Sequence, residues 1–220
     1  MAERYESLKF VFSVEGETEE WYLEWFQNAI NSDNAANYHV KIEVNVEKNP
    51  MKLVKKLNAM TTHYVTHLCD VEGQMAGDLK GFETALANLK EARTQKSIAY
   101  KLGYSNLSFE LWMILHKRDC NSCFNCKSEY LDLINTCYAE DFISLSKYKE
   151  EASFKRCLSK LSLNDVRSAI KRAERIMLDK RNSNIKLRYY KGYSYYPENP
   201  ALSIQETIKM ILKECGLLNV

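Results

Sequence analysis

Lys9-Phe10-Val11-Phe12-Ser13-Val14-Glu15-Gly16-Glu17-Thr18-Glu19 is the stretch on which the reading of this chain turns. The apolar run from Leu8 to Val14 predicts a buried strand, and it stops on a carboxylate, a glycine and further carboxylates ahead of a helix-period segment. An open α/β sheet gathers ligands outside the carboxyl ends of its strands, so Glu15 and Glu19 stand where a site forms. The same punctuation returns after the next strongly apolar run, where Val65-Thr66-His67-Leu68-Cys69 delivers Asp70-Val71-Glu72-Gly73. Four carboxylates from two strand exits repel one another unless cations neutralise them, and a hard divalent ion such as Mg²⁺ takes oxygen ligands of this kind. The plainer role for Glu17, Glu19 and Glu20 is to complement the positive end of a helix dipole. That role does not explain the second strand exit.

Outward from this stretch, strand and helix alternate. Thr18 to Ile30 predicts a helix with Trp21, Tyr22, Trp25, Phe26 and Ile30 on one apolar stripe. Tyr38 to Val46 places Val40, Ile42, Val44 and Val46 in strict alternation, a strand with one face more exposed. Met51 to Met60 reads as a helix, Tyr64 to Cys69 as a buried strand, Leu79 to Leu89 as a helix and Ser97 to Leu102 as a strand. Ser108 is positioned to cap a helix through Lys117. The pattern predicts an α/β fold: a mostly parallel sheet with flanking helices on both faces. Beyond Arg118 the signals are helical over Ile143 to Leu163 and Leu163 to Leu178, Tyr-rich and irregular over Arg188 to Pro200, and helical again over Ser203 to Leu212. The expected organisation is an α/β core over 1–118 and a helical basic extension over 119–220 packed on it, with no clear linker.

The 220 residues, 45% of them hydrophobic, suffice for one domain with a substantial core. The charged start Met1-Ala2-Glu3-Arg4-Tyr5-Glu6 leads into a run too short to span a bilayer, which points to a cytoplasmic protein without membrane association. Seven cysteines, an odd number with no compact framework, favour reduced thiols. Net charge is only +2, yet Leu145 to Tyr193 holds fourteen Lys or Arg against five Asp or Glu, a local +9 that leaves −7 for the rest. An acidic part beside a basic part suits a protein that holds cations in one place and a polyanion next to it; a solvated helix face is the plainer account of the basic run. On the polyanion reading, Lys155, Arg156, Lys171, Arg172, Arg175 and Arg188 hold phosphates. Tyr189, Tyr190, Tyr193, Tyr195 or Tyr196 then stack unpaired bases, or else belong to the core.

Other site classes find less support. Gly16 is a lone glycine without a dinucleotide or phosphate-loop pattern around it, and no nucleophile elbow occurs. Cys69 precedes Asp70, but a cysteine inside a strand is more often a small buried hydrophobe than a nucleophile. Cys120-Asn121-Ser122-Cys123-Phe124-Asn125-Cys126, with Cys137 eleven residues on, has spacings at which thiolates hold zinc or an iron-sulfur cluster. Three such ligands crowd one another and no second pair follows closely, so free thiols are expected over zinc at Cys120, Cys123 and Cys126. His116 shares a helical face with Phe109, Trp112 and Met113, which reads as a core or supporting histidine, and Trp21, Trp25 and Trp112 read as core.

Three motifs taken together carry a family resemblance. Glu15-Gly16-Glu17-Thr18-Glu19 with Tyr22, then Asp70-Val71-Glu72, then Ser105-Asn106-Leu107-Ser108-Phe109-Glu110-Leu111-Trp112 with His116, resemble the motif series of RloB-like proteins. A weaker echo stands at Asn199-Pro200-Ala201-Leu202-Ser203. The resemblance implies a TOPRIM fold and a Mg²⁺-dependent (or Mn²⁺-dependent) nuclease of prokaryotic antiphage defence, acting on DNA or RNA, with an ABC-type ATPase as a partner. It implies a catalytic and metal-holding set: Glu15 as the first-motif glutamate, Asp70 and Glu72 at the Asp-x-Asp pair, Glu19 and Glu110 as additional acidic ligands. Ser105, Asn106 and His116 are expected behind them. Glu72 in place of aspartate lengthens one ligand arm, and Leu107 replaces the usual proline. A TOPRIM effector or sensor subunit active only with its ATPase, and a small-phosphate hydrolase or phosphotransferase, are the alternatives; the basic second half favours a polymer. Assembly into a homo-oligomer is compatible with all of these.

Overall fold

Residues 7–57, 64–73, 75–95 and 98–218 are described by a computed structural model. Strand β1 (Ser7–Val14) turns Phe10, Phe12 and Val14 to one face of the sheet and Val11 and Ser13 to the other. None of these five side chains is more than 5% exposed, which is why the run is apolar almost throughout instead of alternating. Helix α1 (Glu17–Asn31), β2 (His39–Val46), α2 (Pro50–Lys56), β3 (Tyr64–Asp70), α3 (Ala76–Gln95), β4 (Ala99–Asn106) and α4 (Glu110–Lys117) follow. β1 pairs in parallel with β2 and β3, and β3 with β4. β2 is an edge strand, so Lys41 and Glu43 reach water in alternation with buried Val40 and Ile42.

The second half of the chain covers one face with its helices, adds a hairpin to the other and finishes the sheet. It comprises α5 (Tyr130–Tyr138), α6 (Leu145–Tyr148), α7 (Glu151–Leu158), α8 (Leu163–Asn182), the hairpin β5 (Arg188–Tyr190) and β6 (Tyr193–Tyr195), β7 (Ala201–Leu202) and α9 (Ile204–Glu214). β7 adds antiparallel to β4, giving the order β2-β1-β3-β4-β7. One core lies between the sheet and α1, α4, α8 and α9; the other lies under α2, α3 and the hairpin. Gly103 lets α9 approach β4: a Cβ there would lie 2.5 Å from Leu68 Cδ2 and 3.5 Å from the Ile204 Cα.

Several expectations need correction. The helix foreseen over Ile143 to Leu163 is two helices, because Ser144 caps α6 and the extended backbone of Glu150 starts α7 afresh. Ser108 does not cap α4: Phe109 holds the N-cap position, and the Ser108 hydroxyl donates to Glu110 Oε2 at 2.5 Å. The Tyr-rich tract is a hairpin from Arg188 to Tyr195 and irregular, as expected, only over 196–200. Tyr193, Tyr195 and Tyr196 are core residues at 8%, 0% and 3% exposure, while Tyr189 is exposed. The strand placed at Ser97 to Leu102 runs to Asn106, and α8 continues past Leu178 to Asn182. α2 ends at Lys56 with Leu57 as its extended C-cap; residues 58–60 of the helix expected to Met60, and Ser97, lie outside the described residues. Trp112 is fully buried, but Trp21 and Trp25 are half-buried against the core.

Candidate functional site

Parallel pairing of β1, β3 and β4 brings their carboxyl ends to one edge, and the acidic residues follow from that. Glu15 is the first residue after β1, Asp70 is the last of β3, and Ser105 of β4 stands opposite Asp70. The exit of β3 is held open beside β4 by backbone bonds: Val71 N–H donates to Ser105 O at 2.9 Å and Glu72 N–H to Leu107 O at 3.0 Å. Glu72 takes φ +72° to do this, a left-handed conformation that costs a non-glycine residue about 1 kcal/mol or more. Such strain persists only where surrounding contacts over-determine it, and here it turns the Glu72 carboxylate toward its neighbours. Carboxylate oxygens of Glu15, Asp70 and Glu72 lie within 4.8 Å of one another.

Glu19 and Glu110 complete the acidic edge from two helix N-termini. Glu19 is 6% exposed in the first turn of α1 and accepts a 2.9 Å bond from the Thr18 hydroxyl. Gly16 makes room for it, since a Cβ there would lie 3.1 Å from Glu19 Oε2. Glu110, 1% exposed, is fixed by Ser108 Oγ.

The electrostatics of the edge are those of buried charge in excess. Burial pushes the Glu15 carboxyl up to about 7, with the charges of Glu19 and Glu72 adding to the rise. Asp70 is raised well above the ordinary aspartate value, first by burial and then by Glu19, Glu110 and Glu15. Glu19 is raised by burial, with Glu110 contributing. Removed from water and set against each other, these groups favour their protonated forms more than free carboxyls do, and positive charge nearby counters that shift. An oxygen-only donor set of this charge fits Mg²⁺ or Mn²⁺ and does not fit a soft ion. A second grouping, Glu15 with His67 and Cys69, shares Glu15 from the inner side; the His67 ring is buried, its Nδ1 is 2.7 Å from Ser13 Oγ, and burial lowers it to about 4.

Two cations at this edge were not legible in the sequence. Lys127, on the 3₁₀ turn Lys127–Glu129, places Nζ 2.8 Å from Glu72 Oε1 and 3.5 Å from Asp70 Oδ2. Lys149, at the end of α6, places Nζ 2.8 Å from Glu110 Oε1. Burial pulls the Lys149 ammonium down, and the charge of Glu110 more than offsets it; Asp70 and Glu72 do the same for Lys127. Nothing in the local sequence of either lysine distinguishes it from a surface residue.

The other expected site residues lie elsewhere. His116 sits in the core, its Nε2 3.2 Å from the Tyr22 hydroxyl and its Nδ1 2.9 Å from Trp112 O, at the opposite end of α4 from Glu110. Ser105 contributes its backbone carbonyl to the β3 exit, and Asn106 donates to Pro197 O at 2.8 Å, fastening the segment that leads into β7. Of the basic residues, Lys155 and Arg156 lie on α7, the first paired with Glu151 and the second with Glu140. Arg172 donates to the carbonyls of Leu115 and His116 at 2.7 and 3.1 Å and so closes the end of α4. Lys171 and Arg175 are exposed on α8, and Arg188 is exposed on the hairpin. Cys123 donates to Asn199 O and Cys126 bonds Ser128 Oγ, while Cys120 is buried; among the described residues these three thiols do not converge. All seven cysteines are unpaired. Among the described residues no helix is long and apolar enough to cross a membrane.

Comparison with curated proteins gives no match. A family model described as RloB-like protein matches residues 10–211, from within β1 to α9, and the chain therefore belongs to the RloB-like family.

Proposed function

We propose that this protein is a Mg²⁺-dependent nuclease of the TOPRIM type that hydrolyses phosphodiester bonds of DNA or RNA, an effector of prokaryotic antiphage defence working with an ABC-type ATPase. The observation that carries the reading is the meeting of Glu15, Asp70 and Glu72 oxygens within 4.8 Å at the carboxyl edge of a mostly parallel sheet. Glu15, Asp70 and Glu72 would hold the ion, with Glu19 and Glu110 beside them. A bound Mg²⁺ supplies activation of water at neutral pH and stabilisation of charge on the phosphoryl and leaving oxygens. The chain's part is to fix the ligands before substrate arrives: Thr18 holds Glu19, Ser108 holds Glu110, and the β4 carbonyl of Ser105 with that of Leu107 holds the backbone of Val71 and Glu72. Preorganised carboxylates need little reorganisation during the reaction.

The basic second half supports a polymeric substrate. Lys171 and Arg175 are free of the helix-closing role that occupies Arg172 on the same helix. Arg172 grips α4 at His116, and six helical residues, about 9 Å, separate that end from Glu110. A nucleotide backbone is long enough to reach from the acidic edge toward this face, whereas a small phosphate ester is not. The test is cleavage of plasmid, single-stranded DNA, ribosomal RNA and transfer RNA with and without Mg²⁺, each with and without an ABC-type ATPase partner. Metal-dependent cleavage of any of these, lost in Glu15→Gln, supports the reading. Turnover of small phosphate esters alone would replace it.

A further inference from the structure

The acidic edge takes its positive charge from the other half of the chain. Lys127 Nζ touches Asp70 and Glu72, and Lys149 Nζ touches Glu110, so two ammonium groups bind three of the five carboxylates of the acidic edge, two of them among the three that would hold the metal. A divalent ion at these oxygens competes with the ammonium groups for their lone pairs and repels the ammonium charge. Glu110 is 1% exposed, whereas the Lys149 and Lys127 side chains are 39% and 27% exposed. Asp70, at 11%, and Glu110 are therefore the fixed partners, Glu72 at 53% reaches in from the solvent side, and the lysines approach on flexible four-carbon stems. A lysine released from a carboxylate is a compact cation, and phosphate is a natural next partner.

Building on the metal-dependent reading above, we infer that Lys127 and Lys149 are exchangeable counter-ions. They neutralise Asp70, Glu72 and Glu110 until a divalent cation takes those oxygens, and they then bind the phosphates of a nucleic-acid backbone laid across the edge. Metal and polyanion are thereby coupled with positive sign. The cation frees the ammonium groups for phosphate, and phosphate relieves the cation of its competitors. By linkage, each ligand tightens the other by the same factor. A purely structural pair of ion bridges has a different signature: its removal loosens the fold and leaves the two affinities independent.

The experiment uses the full chain and two double variants, Lys127→Met with Lys149→Met and Lys127→Arg with Lys149→Arg. Mn²⁺ is titrated calorimetrically in the presence and absence of a cleavage-resistant phosphorothioate oligonucleotide. In the parent, the oligonucleotide should tighten Mn²⁺ at least about fivefold, the lower end of ordinary coupling between sites. In the Met pair, Mn²⁺ alone should bind more tightly than in the parent, and the coupling factor should fall to about one. The Arg pair, which keeps both charges, should retain coupling. If the Met pair does not fold by circular dichroism, Lys127→Gln and Lys149→Gln taken singly should each remove part of the coupling. Parental Mn²⁺ affinity and coupling in folded variants that lack the charges would overturn the inference while leaving the metal reading standing. Absence of Mn²⁺ binding by the parent, with or without oligonucleotide, would overturn both.

Discussion

The acidic edge and the basic run are the two charged regions of this chain, and they are built on opposite plans. The acidic residues are scattered along the sequence from Glu15 to Glu110, yet parallel strands deliver them to one place. The basic residues are concentrated in sequence, and the helices that carry them disperse their side chains. Arg156 and Lys160 are committed to Glu140, Arg172 to the end of α4, and Arg167 to Leu217 O; Lys180 is buried against Asn199 O. Density of charge along a chain therefore says little about density of charge in space. Topology decides it: strand ends converge, whereas a helix distributes successive residues around its axis.

The contrast is broken most severely at the ligands themselves. Glu15→Gln or Asp70→Asn should abolish metal-dependent cleavage, a loss of at least about 1,000-fold or about 4 kcal/mol of transition-state stabilisation, with the far-ultraviolet circular dichroism unchanged. Cleavage at the parental rate by either variant under the same Mg²⁺ would remove the acidic edge from the chemistry.

The same substitution should have the opposite effect on stability when metal is chelated. Glu15 keeps its proton up to about pH 7 in the folded chain against an ordinary value of 4.5, so the folded state binds the extra proton between those values. The stability this confers is present below pH 4.5 and is lost as pH rises through about 7. Asp70, raised in the same direction, adds to the fall. In EDTA the parent's melting temperature should drop between about pH 4.5 and about pH 7, and Glu15→Gln should flatten the drop and melt higher at the upper end. The span between the two values sets a ceiling of about 3 kcal/mol, and relaxation around a partly exposed group makes the realised effect smaller. Saturating Mg²⁺ should reverse the parent's trend, because the ion occupies the deprotonated form.

A third test separates supporting residues from ligands. His116 is buried between Tyr22 and Trp112, with ring centroids 5.5 and 4.9 Å away, and burial lowers its ionisation to about 4. Replacing it with alanine leaves a cavity and an unpaired Tyr22 hydroxyl, so His116→Ala should cost about 2–4 kcal/mol in urea unfolding. Cleavage per folded molecule should change less than about tenfold, about 1.4 kcal/mol in the barrier. A loss comparable to Glu15→Gln in a folded protein would place His116 in the chemistry instead.

What sequence could reveal follows from the same contrast. The β1 stretch and its repeat at Asp70 were legible because a strand buried on both faces is a nearly unbroken apolar run, and a carboxylate at its end stands out. His116 as a core residue was legible from its helical face. The hairpin and β7 were not, since strands of two or three residues carry no periodicity and are fixed by partners distant in the chain. Ser108 misled because it has the chemistry of a cap, while its hydroxyl is drawn to the Glu110 carboxylate two residues on. Lys127 and Lys149 had no signal at all: each is an ordinary lysine on a turn or a one-turn helix, and only the packing of that segment against the sheet edge gives it a partner.

The smallest expected effect concerns the basic run, and the bonds made by Arg172 change how to probe it. Neutralising Arg172 would unfasten the last carbonyls of α4, so weaker binding in that variant would confuse stability with recognition. Lys171 and Arg175 are the informative pair: Lys171 is exposed, and Arg175 has only a 3.6 Å exposed ion pair to Asp119, worth well under about 1 kcal/mol. Lys171→Gln with Arg175→Gln should leave the melting temperature and Mn²⁺ affinity at parental values while weakening oligonucleotide binding regardless of sequence. Each phosphate interaction removed should reduce the slope of log K against log salt by about 0.9 on duplex or about 0.7 on single strands. Removing both therefore flattens a single-strand slope by about 1.4 at most, enough to measure by titration between low and moderate salt. An unchanged slope would assign the phosphate track to other residues, Arg188 on the hairpin and Lys127 and Lys149 at the edge first among them, and leave the exposed face of α8 as a solvated surface.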